Sequence, residues 1–221
     1  MWVDALPNPL FRDRFDAGRI LALALADERG GDAVVIGLAR GGVQVAAEVA
    51  RLLDLPLDAV AVRKVRHPRQ TEYAIGAVTP AEGLYLSGRN GLTDAQVAVA
   101  LATAQGQAEE LDRRLHSDRL QLELAGRQAL IVDDGLATAA TMIAAIRWAR
   151  IRGAIRLVAA APVASAQGVA LARKEADLVV CPYELLRFGA VGIWYEDFGQ
   201  VDDEEVRRLL DEAAVRSTTT R

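Results

Sequence analysis

Two adjacent carboxylates, Asp133 and Asp134, directly follow a short apolar run at residues 129–132. Small and hydroxyl residues then lead from the acid pair into a predicted helix. Such a loop presents backbone N–H groups and the positive end of the helix dipole, which suit a phosphate, and Thr138 and Thr141 add hydroxyl donors. Because carboxylates accept hydrogen bonds from sugar hydroxyls, the segment predicts a ribose 5-phosphate site. Two alternatives stay open, namely an exposed acid pair beside an N-cap and the magnesium-holding acids of a receiver domain.

Two further loops carry residues that suit a polyanion. Residues 37–43 follow another apolar run, their glycines permit close approach of the backbone, and Arg40 can donate paired hydrogen bonds to phosphate oxygens. Residues 63–70 hold four cations and a histidine in an otherwise acidic chain. Taken separately, the first loop is also typical of a tight turn, and the second of a solvated basic loop or an RNA-facing patch. A receiver domain needs another Asp at a neighbouring strand end, where this chain has Arg40 and Lys64 instead.

The elements that would position these loops alternate between short β-branched runs and helices. Strands are predicted at residues 33–38, 59–62, 129–132, 155–161 and 178–181, and helices at residues 43–53, 141–150 and 169–174. Repeated strand–helix–strand units indicate an α/β fold with a mainly parallel, twisted sheet and flanking helices. Ligands of such sheets bind beyond the carboxyl ends of the strands, which is where the three loops lie.

Two helical segments do not belong to this alternation. Residues 16–28 predict an amphipathic helix, and residues 83–127 are too long for a simple connection. In the longer segment Thr93 and Gln96 form a capping box. One apolar stripe follows, at Val97, Leu101, Ala104, Ala108, Leu111 and Leu115. We expect a long helix lying on the sheet or on a partner subunit, with His116 at the surface.

No internal repeat or low-complexity linker divides the chain of 221 residues. The sequence therefore predicts one domain over residues 1–221, with a helical insert at about residues 83–127. A C-terminal hood or lid is predicted at about residues 182–214.

Composition and charge exclude several classes of protein. A hydrophobic fraction of 52% is too high for a disordered chain, and the single cysteine, Cys181, allows neither a disulfide framework nor a cysteine-built metal site. The net charge of −4, from 26 basic and 30 acidic residues, disfavours nucleic acid and anionic membranes as partners. No apolar run approaches about 18 residues, and residues 1–14 do not resemble a signal peptide. We expect a cytoplasmic protein.

Residues 133–141, with the sequence DDGLATAAT, resemble the ribose-phosphate signature of the type I phosphoribosyltransferases. The resemblance extends over about residues 11–200 and is closest to a bacterial branch named only for the family. It implies an α/β core with a variable hood, and a homodimer. It also implies Mg²⁺-dependent transfer of the 5-phosphoribosyl group between phosphoribosyl pyrophosphate and a nitrogenous base.

The resemblance implies a role for each candidate residue. Asp133 and Asp134 would bind the ribose hydroxyls and form the catalytic set together with Lys64 and Arg40. The residues that would bind the 5-phosphate are Ala137, Thr138, Ala139, Ala140 and Thr141, and those that would bind the pyrophosphate are Ala39, Gly41, Gly42, Arg63 and Arg66. No side chain would ligate the metal directly. Mg²⁺ would arrive with the substrate, and Asp133 or Asp134 would reach it at most through water.

The base would be covered by the N-terminal segment or by C-terminal aromatic residues. The aromatic candidates are Phe188, Trp194, Tyr195 and Phe198. Aromatic rings can stack on a base, although these rings would equally serve as a packed lid or a dimer contact.

The sequence departs from the family pattern at three positions. Ala139 stands where the family usually has Gly, and its Cβ would cost about 1–2 kcal/mol if the backbone there requires a positive φ. Ala137 stands where hypoxanthine-guanine enzymes carry an Asp, and Gly135 replaces a branched apolar residue. Ala139 favours an alternative function, a catalytically weakened regulatory module that binds phosphoribosyl pyrophosphate or a nucleotide.

Overall fold

The structure, a computed structural model, describes residues 9–29, 31–81 and 83–219. The strands, in chain order, are β1 (Ala33–Ala39), β2 (Leu57–Ala61), β3 (Arg63–His67), β4 (Gln70–Val78), β5 (Leu84–Leu86), β6 (Gln128–Val132), β7 (Arg156–Ala160), β8 (Val163–Ser165), β9 (Leu178–Val180) and β10 (Tyr183–Leu185). The α-helices are α1 (Arg14–Ala24), α2 (Gly41–Leu53), α3 (Asp94–Leu115), α4 (Ala140–Ile151), α5 (Ala166–Ala172) and α6 (Asp203–Thr219). In the part of the chain so described, no helix combines the length and apolarity needed to cross a membrane.

Five parallel strands form the central sheet, in the order β2-β1-β6-β7-β9. β3, β4 and β5 form a separate antiparallel sheet, and β8 pairs in parallel with β10. The predicted α/β fold, with a mainly parallel sheet and flanking helices, is therefore confirmed. The three predicted loops all begin where β1, β2 and β6 end, at the same edge of the central sheet.

Burial on both faces explains why these strands are continuous apolar runs rather than alternating ones. In β1, Val35 packs on one side with α1, α2 and α6, whereas Val34 and Ile36 pack on the other side with α4 and α5. Each side chain is fully buried. The sheet is thus a rigid support for the loops at its carboxyl edge.

The long predicted insert helix is α3, which begins at the capping box of Thr93 and Gln96. Its apolar stripe packs within the chain, against the antiparallel sheet and, near its end, against the core. Of the two positions expected for this helix, on the sheet or on a partner subunit, the structure therefore shows the first, with α3 packed on strands of its own chain. The basic stretch predicted as a loop instead contains β3, so Lys64 and Arg66 are displayed from a strand.

His116 corrects one expectation, because it is buried rather than a surface residue, with only 7% of its side chain exposed. Its Nε2 lies 3.1 Å from Oδ1 of Asp58 in β2, and its Nδ1 lies 3.1 Å from Oδ1 of Asp112. Burial alone would lower the pKa of His116, but the two carboxylates outweigh it and raise the pKa to about 9. A charged histidine thus fastens the end of α3 to the central sheet.

We expect the free energy of unfolding to fall as the pH rises through the folded pKa of His116. A raised pKa means that the stabilisation is complete below about pH 6.5, the unfolded value, and is lost as the pH passes about 9. The loss should reach about 3 kcal/mol at most. Urea unfolding at closely spaced pH values measures it, and His116→Gln should flatten the profile. An equally steep fall in that variant would contradict the assignment.

Candidate active site

A cleft of about 520 Å³ lies at the carboxyl edge of the central sheet. It brings together most of the site residues predicted from the sequence. Those that line it are Ala39, Arg40, Gly41, Arg63, Lys64, Arg66, Asp133, Asp134, Ala137, Thr138, Ala139 and Thr141. Gly42 and Ala140 are buried and do not line it. Gln107 of α3 and Val191 also contribute to the wall.

The acid pair sits at the end of β6 with its carboxylates largely withdrawn from solvent. Oδ1 of Asp133 accepts a hydrogen bond from the backbone N–H of Asp134 at 2.9 Å, and Oδ2 accepts one from Thr141 at 3.3 Å. Burial and the neighbouring charge of Asp134 raise the pKa of Asp133 well above its usual range. Burial also raises the pKa of Asp134. The pair therefore gains from any ligand that brings hydroxyl donors or a cation.

Arg14 of α1 is a site residue that the sequence did not reveal. Its Nε donates to Oδ2 of Asp134 at 2.8 Å, and Nη1 donates to the carbonyl oxygen of Gly199, also at 2.8 Å. The guanidinium carbon lies 3.8 Å from the ring centre of Phe198. Because Arg14 is buried and faces Asp134, it partly offsets the cost of burying that carboxylate.

The loop after β1 passes directly against the acid pair. A Cβ at Gly41 would collide with the carboxylate of Asp134. A Cβ at Gly42 would lie 2.7 Å from the carbonyl oxygen of Val132 and 3.0 Å from Oδ1 of Asp133. Glycine is thus required at both positions by close approach, and the Ala39–Arg40 peptide bond that precedes them is cis.

The loop after the acid pair ends at the N-terminus of α4. Ala139 is the N-cap residue and adopts the left-handed conformation, with φ of 56° and ψ of 5°, and no side chain caps the helix. The loop is held from behind by β8, since Ser165 Oγ donates to the carbonyl oxygen of Ala137 at 2.6 Å. Unpaired first-turn N–H groups and a positive helix end make this loop suitable for an anion.

The cations of the cleft come from two elements. Arg63, Lys64 and Arg66 lie on β3, while Arg40 lies at the start of α2. Arg40 Nε donates to Oδ1 of Asp203, at the beginning of α6, at 2.5 Å. The positive charge predicted from two separate segments thus converges on one cleft, beside the acid pair.

The predicted hood contributes a wall, although not through its aromatic residues. Phe188, Trp194 and Tyr195 are buried in a separate cluster with Phe11 and do not line the cleft. Their position is that of a packed lid, and it does not place them where they could stack on a base in this cleft. Their packing explains why: these rings fill the space between the hood and the N-terminal segment. Residues 1–8 of that segment lie outside the described residues.

Val191 explains the unusual Gly135. A Cβ at Gly135 would lie 2.6 Å from Cγ1 of Val191, so the hood side chain fills the space that a larger residue at position 135 would need. Tyr195 supports the same region, because its hydroxyl donates to the backbone carbonyl of Asp134 at 2.6 Å.

The family model of the phosphoribosyl transferase domain matches residues 12–187. The chain belongs to this family. The matched range contains β1, β3, β6 and the loop that starts α4, which are the elements that line the cleft. The match ends before α6, so Asp203 lies beyond the matched residues.

Individual relatives agree with this membership. The chain is 44% identical over 209 residues to a protein of Mycobacterium tuberculosis (strain H37Rv) named "Putative phosphoribosyl transferase Rv0571c". That match covers 92% of this chain and 47% of the relative, so the chain spans about half the length of the curated relatives it matches. The structure is similar to that of the TT1426 protein from Thermus thermophilus, with a TM-score of 0.77 and 41% identity, covering 91% of this chain and 98% of the other.

Long-range contacts account for the residues that sequence reasoning missed. Arg14 meets a partner 120 positions away, and Arg40 meets Asp203 across 163 positions. Gln107 reaches the cleft only because α3 lies along the antiparallel sheet. No local pattern in the sequence carries these pairings.

Replacing Ala139 by glycine should change the folding stability through effects of opposite sign. Ala139→Gly would relieve about 1–2 kcal/mol of left-handed strain, but would lose a buried methyl and loosen the unfolded chain by similar amounts. We therefore expect its free energy of unfolding to stay within about 1 kcal/mol of the wild type. Ala139→Val should lose at least about 2 kcal/mol, because a β-branched residue fits this conformation worse. Urea denaturation compares the two, and a neutral Val variant would contradict the strained loop.

The ion pair of Arg14 and Asp134 predicts a non-additive pair of substitutions. Arg14→Met would leave a buried carboxylate without its cation, which should cost about 3 kcal/mol of folding stability. Asp134→Asn in the same chain should recover a large part, with a coupling energy of about 1.5 kcal/mol or more in a double-mutant cycle. Strictly additive losses in urea unfolding would show that the two side chains do not stabilise each other.

Proposed function

We propose that the chain is a phosphoribosyltransferase that transfers the 5-phosphoribosyl group between phosphoribosyl pyrophosphate and a nitrogenous base. One observation carries the proposal: the acid pair, the anion-binding loop of α4 and the cations of β3 and Arg40 line a single cleft. Membership of the phosphoribosyl transferase domain family supports it. The similarity to the mycobacterial relative, which bears a phosphoribosyl transferase name, points the same way.

The distribution of charge in the cleft supports one orientation of the donor substrate. Asp133 and Asp134 would accept hydrogen bonds from the two ribose hydroxyls, which donate to the carboxylates and lower their mutual repulsion. The 5-phosphate would sit at residues 137–141, against the N-terminus of α4. The pyrophosphate would face Arg40, Lys64 and the other cations of β3.

Charge stabilisation rather than covalent catalysis fits the lining of the cleft. Departure of pyrophosphate leaves positive charge on the ribose ring, which the buried carboxylates would stabilise, while the cations would hold the leaving group. Among the described residues, the lining contains no histidine, cysteine or serine, and its threonines, lysine and carboxylates are assigned here to binding the substrate, so the proposal uses no side-chain nucleophile. A direct displacement at the anomeric carbon needs none.

Magnesium fits this site as a companion of the substrate. The described residues contain no group of three His, Cys, Asp or Glu side chains arranged to hold a metal. Asp133 and Asp134 offer two carboxylates, and Mg²⁺ in proteins is commonly held by one or two carboxylates together with substrate phosphates and water. The ion would supply charge neutralisation at the pyrophosphate, and the chain's own cations would complete it.

The acceptor base would contact the apolar part of the wall. Leu38, Leu136 and Val191 line the cleft beside its charged residues. Ala137 offers no carboxylate to a purine nitrogen, which disfavours recognition of the hypoxanthine-guanine type. We also propose that the chain acts as one domain in the cytoplasm, with residues 182–214 as its hood, and that it forms a homodimer.

A binding module without turnover is the second candidate, and Ala139 favours it. Its left-handed backbone places a Cβ where the family usually has none, at the loop that would hold the 5-phosphate. Such a module would bind phosphoribosyl pyrophosphate or a nucleotide without releasing pyrophosphate. A rise in affinity in Ala139→Gly would support this candidate, whereas unchanged affinity would remove its basis.

The proposal predicts pyrophosphate release from phosphoribosyl pyrophosphate with at least one base of a purine, pyrimidine and pyridine panel. Calorimetry should show Mg²⁺-dependent binding of phosphoribosyl pyrophosphate, weakened at least about 100-fold when Asp133→Asn and Asp134→Asn are combined, because two charged acceptors are lost. These substitutions remove buried like charges, so the variant should fold, as circular dichroism would verify.

A matched control separates the site from general charge effects. Asp32→Asn with Asp94→Asn also removes two carboxylates, but their side chains are 80% and 78% exposed and do not line the cleft. Binding should be unchanged in this control. Absence of phosphoribosyl pyrophosphate binding to the wild-type chain would overturn the transferase, and absence of nucleotide binding as well would overturn the second candidate. Binding without turnover would select the second.

A further inference from the structure

Asp203, the first residue of α6, joins two arginines at the edge of the cleft. Its Oδ1 accepts a hydrogen bond from Arg40 Nε at 2.5 Å, and its Oδ2 accepts one from Arg114 Nε at 2.8 Å. Burial by itself would raise the pKa of Asp203, but the hydrogen bonds and charges of the two arginines together outweigh it and lower the pKa. Asp203 therefore stays ionised between the arginines.

The contact uses only one edge of the Arg40 guanidinium. Nε donates to Asp203, while among the described residues no acceptor is found for either Nη group. Arg40 lines the cleft and is 37% exposed. The Nη edge can donate two parallel hydrogen bonds to one phosphate, which requires the plane of the guanidinium to be fixed.

Both supports of Asp203 are themselves anchored. The residues after it on α6, including Val206, Leu209 and Leu210, are buried in the core beneath α2. Arg114 lies on α3 next to Leu115, which is buried in the same core. The carboxylate is thus held between two packed helices, and its position is determined by the core rather than by a mobile loop.

We propose that Asp203 is a positioning residue that orients Arg40 so that its Nη edge faces the pyrophosphate of the substrate. The proposal rests on the proposed function, in which Arg40 meets that pyrophosphate. It makes α6, which lies outside the family match at residues 12–187, part of the binding machinery of this chain. The opposite role, an internal anion that the ligand must displace, predicts tighter binding when Asp203 is removed.

Calorimetry with two separate ligands tests the proposal. Inorganic pyrophosphate with Mg²⁺ probes the Arg40 side of the cleft, and ribose 5-phosphate probes the acid pair and the α4 loop. Asp203→Ala should weaken pyrophosphate binding about tenfold and leave ribose 5-phosphate binding within twofold. Asp203→Asn, which keeps the size but not the charge, should show the same selectivity with a smaller loss.

A double-mutant cycle shows whether Asp203 acts through Arg40. If it does, Asp203→Ala should cause no additional loss of pyrophosphate affinity once Arg40→Ala is present. Asp211→Ala is the matched control, because Asp211 on the same helix pairs with Arg119 at 3.1 Å and does not line the cleft. This control should bind both ligands as the wild type does.

Each other outcome overturns the inference. Tighter pyrophosphate binding in Asp203→Ala would assign the competing role, and equal losses for both ligands would show a general structural role. Unchanged binding in Asp203→Ala, with a wild type that binds both ligands, would defeat the inference alone. A wild type that binds neither ligand would defeat the proposed function, and the positioning role with it.

Discussion

Two like charges held side by side and largely out of water are the constraint on which the site depends. Ionised Asp133 and Asp134 repel each other, and burial makes that repulsion more costly. The chain meets the constraint with local donors for Asp133 and a distant cation for Asp134. The glycine loop after β1 then lies close against the pair, since no side chain would fit there. A sugar diol would relieve the same repulsion, which is the physical basis of the site proposed for it in the cleft.

Local patterns in the sequence predict the framework well. The continuous apolar runs give strands because both faces of the sheet are covered, and the capping box marks the start of α3 where the structure has it. The acid pair, the loop and the helix at residues 133–141 directly follow a predicted strand. This order predicts that they lie at the carboxyl edge of the sheet. These signals are short-range, so they can be found without knowledge of the tertiary fold.

The contacts that complete the site could not be predicted in the same way. Arg14 and Asp203 belong to helices whose ends look ordinary in sequence, and they become informative only when packing brings them to Asp134 and Arg40. His116 is a similar case, because a histidine after a helix gives no sign that a buried Asp58 will face it. Charged pairs between distant segments depend on tertiary packing, which a single sequence does not display.

Val191 fills the space that a side chain at position 135 would occupy, and this determines how the cleft is shaped. Where a large residue stands at position 135, the strand and its loop would determine the width of the cavity by themselves. Here that wall comes from a segment fastened to Phe11 by backbone hydrogen bonds and ring packing, including a bond from Phe11 N to the Trp194 carbonyl oxygen at 3.1 Å. The volume of the cleft is therefore coupled to packing at some distance from the cleft itself. In related sequences, we expect a large residue at position 135 to occur together with a small residue at position 191.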